Sequence, residues 1–198
     1  MKRHPAWTDR FAQRIADVDR RAFTARVRLV FPLRVGVALL ILGAIAGLAL
    51  LAAAFALTGA AAGIAVLLGA GALIGATHDL AHLIVGTAVG IRFSHWYSDL
   101  PARPQPGVKI DYASYLRTPP RKRAWMHASG AIVSKLVPFL AVLVAMAAGT
   151  PWWTSVLLVA IGVTQIVTDL LLSVRYGDWK KFRRELRIAA SVEGATIP

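Results

Sequence analysis

Long uncharged stretches constrain the fold of this chain more than any other feature. Residues 35–57 have no charged side chain, and the stretches 61–91, 126–148 and 152–174 have one Asp or Lys each. Each stretch is long enough to cross the roughly 30 Å hydrocarbon core of a bilayer as a helix. The sequence therefore predicts an all-α membrane protein with a four-transmembrane-helix bundle.

The basic residues between these stretches predict the orientation of the bundle. Nine Lys/Arg fall in residues 1–34, seven in 92–125 and six in 175–198, whereas the turns at 58–60 and 149–151 have none. Because basic segments stay on the cytoplasmic side, both termini are predicted to be cytoplasmic. We expect a multi-pass protein of a bacterial plasma membrane. Its basic residues flank apolar spans, so the predicted partner is the lipid bilayer and not nucleic acid.

The chain divides into three predicted regions. Residues 1–34 form a basic cytoplasmic arm, residues 35–174 the transmembrane domain, and residues 175–198 a basic cytoplasmic tail with a helix at 178–190. The arm has apolar residues at helical spacing, which predicts an amphipathic helix on the membrane surface, with a solvated helix as the alternative: Phe11, Ile15, Val18 and Ala22. In the 92–125 connection, residues 108–112 alternate weakly and predict a strand or hairpin arm.

Several polar residues interrupt the apolar spans, and such residues are costly in a membrane unless they have a purpose. They lie in the second, third and fourth spans: His78, Asp79, His82, Lys135, Gln165, Thr168 and Asp169. Counting along each helix puts all of them in the middle or the cytoplasmic half of the bilayer. This agreement in depth predicts one buried polar site.

The spacing of these residues predicts a metal site. His78 and His82 are four residues apart, so their imidazoles share one helical face and suit a tetrahedral Zn²⁺. Asp169 is the predicted third ligand, which Gln165, Thr168 and Lys135 would support. Asp79 occupies the general-base position of zinc peptidases. An ion pair between Asp169 and Lys135 is the alternative to metal ligation.

The segment His78-Asp79-Leu80-Ala81-His82, with Asp169 in a later span, resembles the site-2 protease (M50) family of intramembrane metallopeptidases. In that family an H-E-x-x-H motif lies in a membrane helix and an Asp on a later helix is the third zinc ligand. The order of parts matches from about residue 61 to 178, and residues 123–131 resemble the entry to the next core helix. Asp79 replaces the usual Glu, so the chain looks like a divergent relative.

The resemblance implies a zinc-dependent peptidase that cleaves a membrane-embedded protein substrate, with activity that is retained, weakened or lost. Two other classes stay open. One is a cofactor-binding bundle for haem or chlorophyll, in which His78 and His82 could not clasp one haem together because they share a helix. The other is a non-enzymatic membrane subunit whose polar residues only fix helix packing. The chain has no cysteine, which excludes disulfides, thiolate zinc sites and cysteine nucleophiles.

Overall fold

The computed structural model describes residues 5–98, 106–172 and 177–193. Over these residues it contains seven helices and three strands. In chain order they are α1 (Pro5–Arg26), β1 (Leu29–Pro32), α2 (Leu33–Ala53), α3 (Gly59–Ala88), β2 (Phe93–Ser98), β3 (Gly107–Ile110), α4 (Tyr112–Arg117), α5 (Pro120–Ala147), α6 (Trp152–Leu172) and α7 (Asp178–Glu193).

Four of the helices, α2, α3, α5 and α6, are long and apolar enough to cross a membrane. This confirms the predicted helical class and the number of candidate spans. Helix α5 starts before the predicted residue 126, because Pro120 occupies a favourable first helical position and the basic turn after it is already helical. Helix α6 is described to Leu172, and the predicted end at residue 174 lies outside the described residues.

A three-stranded antiparallel sheet adds β structure that the helical prediction largely missed. The strand order is β1-β2-β3, with Phe31 opposite Trp96 and Trp96 opposite Val108. The predicted strand at 108–112 corresponds to β3, but β1 falls in the segment assigned to the helical arm. Four apolar residues next to an apolar helix give no periodicity of their own, so the sequence could not separate β1 from α2.

The chain forms two compact units. The first comprises residues 1–37, 82–128 and 181–198 and includes the sheet, α1 and α4. Helix α1 turns Ala12 and Ala16 inward, whereas Val18, predicted to lie on its apolar face, is 65% exposed. Lys109 of β3 forms an ion pair with Asp19 of α1. Helix α1 therefore packs on the protein itself along a face rotated from the predicted one.

The second unit comprises residues 38–81 and 129–180 and contains most of the four apolar helices. Its core is built largely from small side chains, among them Ala65, Ala70, Ala141 and Ala145. Gly47 of α2 and Gly69 of α3 meet so closely that a Cβ on Gly69 would lie 2.8 Å from the Gly47 carbonyl oxygen. Small residues permit this close helix packing, as is usual in membranes.

Candidate metal centre

Helix α3 carries the three central residues of the predicted site. It runs unbroken from Gly59 to Ala88, so His78 and His82 lie one turn apart on the same face, as predicted. Asp79 follows His78 directly. All three residues are partly buried.

A hydrogen bond in the second unit orients the ring of His78. The Nδ1 atom of His78 lies 3.3 Å from the hydroxyl oxygen of Ser134 on α5. The same hydroxyl lies 3.4 Å from the carbonyl of Ala131. When it donates to that carbonyl it accepts from Nδ1 of His78, and the lone pair of the neutral ring is on Nε2; when it donates to Nδ1, the ring proton is on Nε2.

A carboxylate faces Nε2. Oδ2 of Asp178, the first residue of α7, lies 3.3 Å from Nε2 of His78. Either a proton on Nε2 or a metal ion between the two atoms accounts for a contact this close. Two ligands of one tetrahedral zinc ion, with bonds of about 2.05 Å, are about 3.3–3.4 Å apart. The separation of His78 and Asp178 therefore fits shared metal ligation.

The ring of His82 is oriented by a different partner. Its Nδ1 atom lies 2.6 Å from the carbonyl oxygen of Met126, at which Nδ1 must be the donor. The lone pair of neutral His82 is therefore on Nε2. Metal-binding histidines commonly donate their second nitrogen to a carbonyl in this way, which orients the ring. Among the described residues, the group whose chemistry fits a metal ion is His78, His82 and Asp178.

Asp169, the third ligand predicted from the sequence, has a different partner. Its Oδ2 atom lies 2.5 Å from Nζ of Lys135, which is the ion pair left open as the alternative. The carboxylate beside His78 is Asp178, so the candidate ligand set changes from Asp169 to Asp178. Counting residues along α6 gives the depth of Asp169 in the membrane but not its partner. Such a count also cannot show that Asp178, after the last span, lies beside α3.

The predicted supporting residues on α6 are Thr168 and Gln165. The hydroxyl of Thr168 donates to the carbonyl of Thr164 in its own helix, at 2.8 Å. The supporting role of Gln165 and the general-base role of Asp79 stay predictions. The sequence contains one indication that the chain turns just before Asp178. Gly177 precedes it with a φ of 95°, a conformation that glycine adopts easily.

A second polar cluster, which the sequence analysis missed, lies in the first unit. The side chains of Arg123 and Glu185 are 2% and 0% exposed, and Nη2 of Arg123 lies 3.0 Å from Oε2 of Glu185. Tyr115 and His127 complete the cluster and are also buried. Its signal was the helical spacing of Glu185 with Ile188 and Ala189, which are buried on the same face of α7.

No family model, curated protein or solved structure matches this chain. The resemblance to the M50 family therefore rests on the histidine motif and the acid on a later segment.

Proposed function

We propose that this chain is a multi-pass protein of the plasma membrane that binds zinc through His78, His82 and Asp178 and hydrolyses a peptide bond in a membrane-embedded substrate. The observation that carries the proposal is the pairing of His78 Nε2 with the Asp178 carboxylate while Nδ1 bonds Ser134. This arrangement offers a cation two ligands and a positioned ring, and His82 follows one turn later on the same helix.

The residues of the chain have distinct roles in this proposal. Ser134 and the Met126 carbonyl contact Nδ1 of the two imidazoles and orient the rings, and Asp178 supplies the negative charge that a divalent cation requires. Bound zinc would act as a Lewis acid and would lower the pKa of a coordinated water. Asp79 would accept a proton from the attacking water, as the acid after the first histidine does in zinc peptidases.

A second candidate function has its own observation. Lys135 and Asp169 form a complete ion pair within the second unit, and His78 with Asp178 would form another if the ring were protonated. In that case the polar residues would only fix helix packing, and the chain would be a non-enzymatic membrane subunit. Absence of zinc from the purified protein would favour this second function over the peptidase.

Peptide cleavage in a bilayer tests the proposed activity directly. We expect protein reconstituted into liposomes to cleave membrane-spanning peptides, and a zinc chelator to stop cleavage until zinc is restored, because the proposed site loses its Lewis acid. Fragments are measured by mass spectrometry over a panel of peptides. Cleavage that survives complete removal of the metal would contradict the proposal.

The proposed orientation has its own test, which the absence of cysteine makes simple. We expect Thr58→Cys, in the exposed turn between α2 and α3, to react with a membrane-impermeant maleimide added to intact cells. Lys180→Cys, exposed on α7, should react only after the cells are opened, because the basic tail is proposed to be cytoplasmic. Labelling of Lys180→Cys in intact cells would reverse the proposed topology.

A further inference from the structure

The buried cluster of the first unit joins the start of α5 to the tail helix α7. Arg123 of α5 and Glu185 of α7 form an ion pair with almost no exposure to solvent. Burial of two charges is costly unless the partners are well placed and further bonds satisfy their remaining atoms. Oε1 of Glu185 has such bonds, whereas Nε and Nη1 of Arg123 have no hydrogen-bond partner among the described residues.

Two further groups contact the Glu185 carboxylate, and a third contacts one of them. The Tyr115 hydroxyl donates to Oε1 at 3.0 Å, and Nη2 of Arg184 lies 3.1 Å from the same oxygen. Because the Tyr115 proton is used in this way, Nε2 of His127 must donate to the tyrosine oxygen, at 2.9 Å. Burial, and then the charge of Glu185, raise the pKa of Tyr115 well above its usual range, so its hydroxyl remains a donor.

This network fixes the rotation of α7 about its axis. Glu185 can keep its bonds to Tyr115 and Arg123 only while one face of α7 is turned inward, and Ile188 and Ala189 are buried on that face as well. Polar networks of this kind are directional, whereas apolar contacts tolerate small rotations. Helix α7 therefore has a defined inward face in the first unit.

The residue that the proposed metal site requires from α7 lies on this same face. Asp178 precedes Glu185 by seven residues (185 − 178), which is about two turns, or about 10.5 Å along the axis. Seven residues at 100° each return to within about 20° of the starting direction. The rotation that Glu185 imposes on the helix is therefore also the rotation of Asp178.

We propose that Arg123 and Glu185 are positioning residues that hold α7 in the rotation at which Asp178 serves as a metal ligand. The inference rests on the proposed zinc site, and neither residue is a ligand in it. The pair would preorganise the carboxylate, so that binding of the metal does not have to order the helix.

The test is the zinc affinity of the metal-free full-length protein in detergent, measured by competition with a chelating dye at fixed pH. We expect Glu185→Gln to weaken zinc binding by about tenfold, which is within the range by which coupled residues affect one another. Arg187→Gln, which removes an exposed charge from the same helix, is the matched control and should stay within about twofold. A folded Glu185→Gln protein with wild-type affinity would overturn the inference.

A double-mutant cycle separates positioning from a general loss of stability. If Glu185 acts through Asp178, Glu185→Gln should change zinc affinity by less than about twofold in an Asp178→Asn background. An effect as large as in the wild-type background would show that Glu185 acts independently of Asp178 and would overturn the inference.

A second variant keeps the inference testable if Glu185→Gln does not fold. The double replacement Arg123→Leu with Glu185→Leu removes both buried charges and leaves Arg184, whose side chain is 47% exposed, to solvent; replacing a buried ion pair by apolar residues often preserves packing. It removes the directional bonds, so we expect a folded protein with zinc binding weakened at least about fivefold; unchanged binding would overturn the inference. If the wild-type protein shows no His78-dependent zinc binding, it is the proposed function that fails instead.

Discussion

The replacement Asp178→Asn is expected to weaken zinc binding at least about tenfold, whereas Asp169→Asn should leave it within about twofold. Asp178 faces Nε2 of His78 at 3.3 Å, so the amide would remove the charged ligand and keep its size. Asp169 already neutralises Lys135, and its loss is expected to affect stability more than zinc affinity. Zinc content by elemental analysis and affinity by titration measure both effects.

Replacement of both histidines should give the largest loss of bound zinc in this experiment. His78→Ala combined with His82→Ala removes both imidazoles and should reduce bound zinc from about one equivalent to background, since Asp178, the one carboxylate left in the candidate group, is a poor site for this metal by itself. Detergent-solubilised variants must retain the helical circular dichroism of the parent. The opposite ranking, with zinc lost in Asp169→Asn and kept in Asp178→Asn, would restore the ligand set that the sequence predicted.

The difference between Asp169 and Asp178 shows which parts of the site can be predicted from the sequence. The four apolar helices follow from composition, and the shared face of His78 and His82 follows from the period of the helix, because both are local properties. The acid that meets them depends on where the chain goes after the last span. Depth along a helix ranked Asp169 first, yet an apparently ordinary tail residue, Asp178, lies beside the imidazole.

The buried ion pair failed to emerge from the sequence for a related reason. Arg123 belongs to a basic run, which predicts a topology signal, and Glu185 lies in a charged helix, which predicts solvent exposure. Both side chains are buried because each contacts the other and Tyr115, and these contacts are visible only in the structure. The short strand β1 was hidden in the same way, because its pairing with β2 is a tertiary contact.

The second large effect concerns Asp79. Asp79→Asn is expected to lower kcat for cleavage of a membrane-spanning peptide by about 10²- to 10⁴-fold, because the amide cannot accept the proton of the attacking water. Zinc content and KM should change little, since Asp79 is not among the residues that form the candidate metal group. Initial rates in proteoliposomes, together with zinc content of the same preparation, separate loss of the base from loss of the metal.

Asp79→Glu is the informative companion to this variant. It restores the carboxylate of the H-E-x-x-H motif and extends it by one methylene, so we expect activity equal to or higher than that of the parent chain. Helix α3 holds position 79 next to His78 in either case, and the added reach is the main change. Full activity in Asp79→Asn would remove Asp79 from the mechanism, and zinc binding without any cleavage in the parent or in Asp79→Glu would favour a metal-stabilised, non-enzymatic subunit.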